Sequence, residues 1–233
     1  MIDDGSSRAH DAELLLARIS AAAGRAGLGR RRATYRASVA ARGWRVTDLR
    51  QRAYGLLRGG GTKGTTAGAR LDLYEHGMTV VLGGRIRVVR YDTTVARRRG
   101  VLSSEGVVRA CALVDVEGEW LVLRRGGFDR PEAWAPEIRR AVTHATVARA
   151  LAALAQGARL TFGPVWVTEE EVGHGSTSLR WTHVQRSELR NGSVAVRVAG
   201  RWQVLGSLAS GIPDPVVLHA LAERLSAADR DDD

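Results

Sequence analysis

The chain has 233 residues, 35 Lys+Arg against 25 Asp+Glu, a formal net charge of +10, one cysteine and 5% aromatic residues. That length buries a sufficient core without disulfides or metal, and 44% hydrophobic with 26% charged residues excludes global disorder. Short apolar runs exclude a membrane-spanning helix, the start lacks the pattern of an export leader, and the lone Cys111 in a β-like run reads as a small buried hydrophobe, so a cytoplasmic protein is expected.

Residues 1–70 hold 14 basic and 5 acidic side chains (+9), against +3 for 71–157 and −2 for 158–233. Of all the cations only Lys63 is lysine, and the Arg/Ala/Gly bias is that of a GC-rich bacterial coding sequence, which discounts arginine as a sign of nucleic-acid binding. Ala12, Leu15, Leu16, Ile19, Ala22 and Ala23 recur at helical spacing, with Gly24 and Gly27 behind. A β-compatible piece follows at Thr34 to Val39, then a weaker helical pattern at Leu49, Ala53, Tyr54, Leu56 and Leu57. The run from Gly59 to Gly68 has the composition of a flexible linker. Residues 1–70 thus read as a basic, partly helical arm. Its Arg25, Arg30, Arg31, Arg32, Arg36, Arg42, Arg45, Arg50, Arg52 and Arg58 are candidate contacts to an acidic protein partner, nucleic acid or an anionic membrane surface.

Beyond residue 70 the apolar period changes from helical to alternating. Leu71 to Leu82, Arg85 to Val95, Val107 to Val116 and Trp120 to Arg124 predict an antiparallel meander with turns at Gly83-Gly84 and Gly118. A loop is expected around Arg97 to Gly106. From Pro131 a helix carries Trp134, Ile138, Ala141, Val142, Ala145, Ala148, Leu151 and Ala152 on one face and stops at Gly157. Strands are then predicted at Leu160 to Thr168, Thr177 to Trp181, Gln185 to Leu189, Ser193 to Val198 and Arg201 to Leu205. Asn191-Gly192 is the strongest hairpin signal, because both residues accept the positive φ of a type I′ turn. Pro213 and Pro215 open a last helix with Val217, Leu218, Leu221 and Leu225 on one face, and residues 227–233 read as an acidic tail.

The two runs of strands match each other. Glu117-Gly118-Glu119-Trp120-Leu121-Val122-Leu123 aligns with Ala199-Gly200-Arg201-Trp202-Gln203-Val204-Leu205, and Pro131 with Pro213 at the same offset. Arg90-Tyr91 aligns with Arg180-Trp181. The chain therefore reads as a duplication, 71–157 and 158–226, with Tyr91, Trp120, Trp181 and Trp202 as repeat anchors. As core aromatics they carry the expectation that Trp202→Ala costs about 3–5 kcal/mol.

Several antiparallel strands closed by one amphipathic helix resemble the pleckstrin-homology-like barrel. Leu73-Tyr74-Glu75-His76-Gly77, Arg90-Tyr91-Asp92, Arg180-Trp181 and Leu160-Thr161-Phe162-Gly163 resemble, over residues 70 to 226, an actinobacterial DUF6585-type family of unknown function. The resemblance implies an α+β chain of two tandem barrels or sandwiches, each closed by its C-terminal helix, and no particular chemistry.

Chemistry-bearing patterns are sparse. His10, His76, His144, His174, His183 and His219 form no zinc spacing, so no metal site is expected. Lys63 is followed by Gly64, not by the Ser/Thr of a phosphate loop. Glu169, Glu170 and Glu171 share one solvated turn, and no nucleophile elbow is present. With no catalytic or cofactor pattern, the expected function is protein binding or scaffolding without catalysis through the barrels, alone or as a homo-oligomer. The alternative is anionic-polymer binding through the arm.

Overall fold

The structure, a computed structural model, describes residues 4–38, 69–94, 97–103, 106–124, 127–207, 211 and 214–231. Its contacts divide the chain into two units, 1–142 and 143–233. Each contains a four-stranded antiparallel sheet, then a three-stranded one, in simple meander order.

In the first unit, α1 (Asp4–Arg25) precedes β1 (Arg31–Arg36), β2 (Arg70–Tyr74), β3 (Gly77–Leu82) and β4 (Arg85–Arg90), which pair in that order. The second sheet is β5 (Arg97–Ser103), β6 (Gly106–Val114) and β7 (Trp120–Arg124). The register places Ala33, Leu73 and Met78 side by side across one face, and Thr34, Asp72 and Thr79 across the other. Strand β2 is nonetheless buried on both faces, at Leu71 and Leu73 and equally at Asp72 and Tyr74. Part of the reason is α1: Ala23 and Leu28 pack with Tyr74, and Ala26 and Val88 flank them. Of the apolar stripe read in α1, Ile19 and Ala23 are buried, which gives the helix tertiary packing, while Ala12 and Leu16 are exposed.

This corrects the expected arm. Residues 31–36 form an edge strand hydrogen-bonded to β2, and α1 lies on the same sheet, so the described part of 1–70 belongs to the first unit. The weak helical pattern at 49–57 and the glycine run at 59–68 lie outside the described residues. The loop expected around Arg97 to Gly106 is instead strand β5, paired throughout with β6; alternation was hidden there by consecutive arginines.

Gly77 shows how tightly this unit is packed. A Cβ there would lie 2.3 Å from the Val89 carbonyl oxygen and 2.6 Å from Leu28 Cδ2. Backbone cannot yield as a flexible side chain does, so Gly77→Ala is expected to cost about 1–3 kcal/mol. A urea titration checks it: the midpoint falls and the slope is unchanged.

Helix α2 (Pro131–Leu154) contains the division between the units. Trp134, Ile138 and Val142 are buried at steps of four, with Phe128 edge-on to Trp134 at 6.2 Å. The next buried residue is Val147, and Val147, Ala150 and Leu154 belong to the core of the second unit. The division therefore falls after Val142, not at the helix stop at Gly157. Gly157 does end the helix, with φ of 80° and its N–H donating to the Leu154 carbonyl at 2.8 Å.

In the second unit, β8 (Leu160–Phe162), β9 (Val165–Val167), β10 (Glu171–His174) and β11 (Thr177–Arg180) form the four-stranded sheet. One 3₁₀ turn, Trp181–His183, leads to β12 (Val184–Arg190), β13 (Ser193–Val198) and β14 (Arg201–Ser207), and α3 (Pro215–Asp231) ends the unit. The strand expected over Leu160 to Thr168 is two strands, turned at Gly163 with φ of 62°. Glu171 opens β10 and is not part of a solvated turn. Asn191 and Gly192 have φ of 49° and 78°, the type I′ signature. Asp214 Oδ1 accepts from the Val216 and Val217 N–H groups at 3.1 and 3.3 Å, capping α3 with Pro215 at its first position. The helix runs on to Asp231, so most of the expected acidic tail is its last turn.

The α+β expectation thus holds as antiparallel sheets with three α-helices among the described residues. Strand pairing does not join the two sheets of either unit into a closed barrel among those residues. No described helix is long and apolar enough to cross a membrane.

Candidate functional site

The repeat anchors separate into two pairs. Tyr91 and Trp181 follow the fourth strand of their units and are 3% and 0% exposed. Burial pushes the Tyr91 phenol well above its ordinary range. Trp181 Nε1 donates to the Thr168 carbonyl at 3.1 Å. Trp120 is half-buried, and Trp202 is 43% exposed on edge strand β14. Trp202 is not a core anchor: β14 is an edge strand, and the residue stays largely open to solvent there.

Of the candidate arginines, Arg25 lies in the last turn of α1, and Arg30, Arg31, Arg32 and Arg36 lie on or beside β1, all exposed. Arg42, Arg45, Arg50, Arg52 and Arg58 lie outside the described residues. Arg31 stands 3.9 Å from buried Asp72, which also takes Arg70 through two contacts, at 2.7 and 2.8 Å, and the Thr34 hydroxyl. Those bonds raise the Arg70 pKa. The Arg30 N–H donates to Glu75 Oε2 at 3.0 Å, which lowers the Glu75 pKa below the usual carboxylate range. Four of the five described candidates therefore lie on or beside one edge strand and the fifth on α1, and Arg31, with Arg70 of β2, already faces a carboxylate.

Asp115, Glu117 and Glu119 bring three carboxylates together at the β6–β7 turn. Asp115 Oδ1 accepts from the Glu117 and Glu119 N–H groups at 3.0 and 2.8 Å, and its Oδ2 lies 2.8 Å from Arg87 Nε. Arg87 also pairs with Glu119. A guanidinium occupies the place a cation would take, so the cluster clamps a turn.

A concavity lies in the second unit, between β12 and α3. It is a groove of about 710 Å³ lined by Gln185, Arg186, Ser187, Glu188, Leu189, Arg190, His219, Glu223 and Ser226. Strand β12 is an edge, pairing with β13 and with no other strand among the described residues. Arg190 and Ser193 flank the two-residue hairpin, so they exchange both hydrogen bonds, as do Glu188 with Ala195. Ser187 and Leu189, in the alternate positions, direct their backbone N–H and C=O away from β13 toward the open side.

The floor of this groove is polar and incompletely satisfied. Ser187 is 8% exposed, yet among the described residues its Oγ has no hydrogen-bond partner, and neither does the buried Nε2 of His219. His219 Nδ1 lies 3.7 Å from Glu223 Oε2. Ser226 is satisfied, its Oγ donating to the Ala222 carbonyl at 2.7 Å. A buried polar atom without a partner costs about 1–3 kcal/mol, so the ground beneath this groove is incompletely compensated.

None of these residues stands out in the sequence as a site. His219 reads as an ordinary helix histidine, and the readable signal is a serine in an apolar stripe: Ser187 beside Leu189, and Ser226 beside Leu225. His10, His76, His144, His174 and His183 are exposed and scattered. Comparison with known proteins returns no matching family model, no matching curated protein and no matching solved structure.

Proposed function

We propose that this chain is a non-enzymatic polypeptide-binding protein, and that the β12–α3 groove of the second unit receives an extended segment as an added strand. The observation that carries this reading is a strand edge that is unpaired among the described residues, alongside a groove whose buried Ser187 Oγ and His219 Nε2 lack partners among them. Strand addition supplies main-chain hydrogen bonds for affinity, and side-chain pockets along the groove supply selectivity. The order of four strands, three strands and a helix, which recurs along the chain, supports the pleckstrin-homology-like reading.

Selection from a random peptide library on the full chain tests the proposal. Enriched peptides are expected to bind in extended form and to lose at least about tenfold in affinity with Leu189→Pro, which removes one outward N–H and leaves the ladder to β13 in place. Ser187→Ala is expected to weaken them less, by one hydrogen bond. Peptides indifferent to both substitutions would overturn the assignment.

A further inference from the structure

The outer side chains of the open edge alternate in charge, as Arg186, Glu188 and Arg190. Their side chains are 68%, 27% and 78% exposed, and the contacts among them are long, 3.5 Å from Arg186 to Glu188 and 3.8 Å from Arg190 to Glu188. On an antiparallel partner strand the residues directly opposite lie close enough for opposite charges to attract and like charges to repel. An ideal partner therefore presents the reversed alternation at the same spacing. This edge can supply that itself when displaced by two residues.

We infer that the segment added to β12 is the β12 strand of a second copy of this chain, related by a two-fold axis at Ser187. The inference rests on the reading of the groove as strand-accepting. In that register Arg186 stands opposite Glu188 of the second copy and Glu188 opposite its Arg186, so both pairs attract. Ser187 faces its own counterpart. Its backbone N–H and C=O already point outward, so the pair on the axis forms both ladder bonds. The interface is isologous, the commonest symmetry of soluble oligomers.

Sedimentation across a concentration series tests the inference with two charge variants on exposed positions: Glu188→Arg, and the double substitution Arg186→Glu with Arg190→Glu. Wild type is expected to self-associate, more weakly as salt is raised. Each variant alone places like charges opposite one another and is expected to associate about tenfold more weakly or worse. An equimolar mixture of the two restores a one-to-one dimer, which misfolded variants could not do. A wild type that stays monomeric throughout, or variants that associate as well as wild type, would overturn the inference. If the monomeric chain still binds library peptides in a Leu189→Pro-sensitive way, the second copy is wrong and the groove reading stands. If it binds neither, both fall.

Discussion

Trp181→Ala is expected to destabilise the protein by about 3–5 kcal/mol, the range of buried aromatic truncations. Trp181 is fully buried in the core that includes Val167, Val172, Val184, Leu218 and Leu221, and its indole N–H is bonded to the Thr168 carbonyl. The substitution leaves a cavity and an unpaired carbonyl together. In a chain of this length each kcal/mol corresponds to about 2–4 °C in Tm, so a calorimetric transition lowered by about 10 °C is the predicted outcome. Trp202→Ala is the internal control. At 43% exposure it is expected to stay within about 1 kcal/mol of wild type, contrary to what its place in the repeat suggests. Equal effects of the two substitutions would refute the packing described for the second unit.

Asp72→Ala is expected to cost about 2–4 kcal/mol in the first unit. Asp72 is fully buried and holds Arg70 through two contacts, so its removal leaves the Arg70 cation without its carboxylate and the Thr34 hydroxyl with only its 3.3 Å contact from Arg70 Nη2. The figure sits below that of a wholly buried pair because the Arg70 side chain retains 18% exposure. Asp72→Asn preserves shape and one acceptor and is expected to lose less. Denaturant titration separates the two. An Ala variant as stable as wild type would show that the Asp72 network does not hold β1 to β2.

Periodicity and turn chemistry were legible where local physics decides the structure. Asn191-Gly192 accepts positive φ, Gly157 ends α2, and the stripe at Val217, Leu218, Leu221 and Leu225 is buried as its spacing requires. Where non-local pairing decides, the sequence is mute. Residues 31–36 are one strand among arginines, and only a partner 38 positions away, where Asp72 accepts from Thr34, makes them an edge of the first sheet. The charge excess of 1–70 reads as a solvated arm for the same reason, although α1 and β1 are part of the unit. The change of buried face between Val142 and Val147 is likewise invisible, since a helix that serves two cores shows one blurred stripe. The groove was legible only as two serines in apolar stripes, because an open strand edge is a property of topology and leaves no residue signature.

Amide hydrogen exchange at single-residue resolution, on the free protein and with a selected peptide bound, tests the strand-addition account most directly. In the peptide-free protein, at concentrations where it is monomeric, Ser187 and Leu189 are expected to exchange fast, and Glu188, bonded to Ala195, slowly. On binding, Ser187 and Leu189 are predicted to become protected while Glu188 is unchanged. Saturating peptide that leaves the Ser187 and Leu189 amides as fast as before would contradict it.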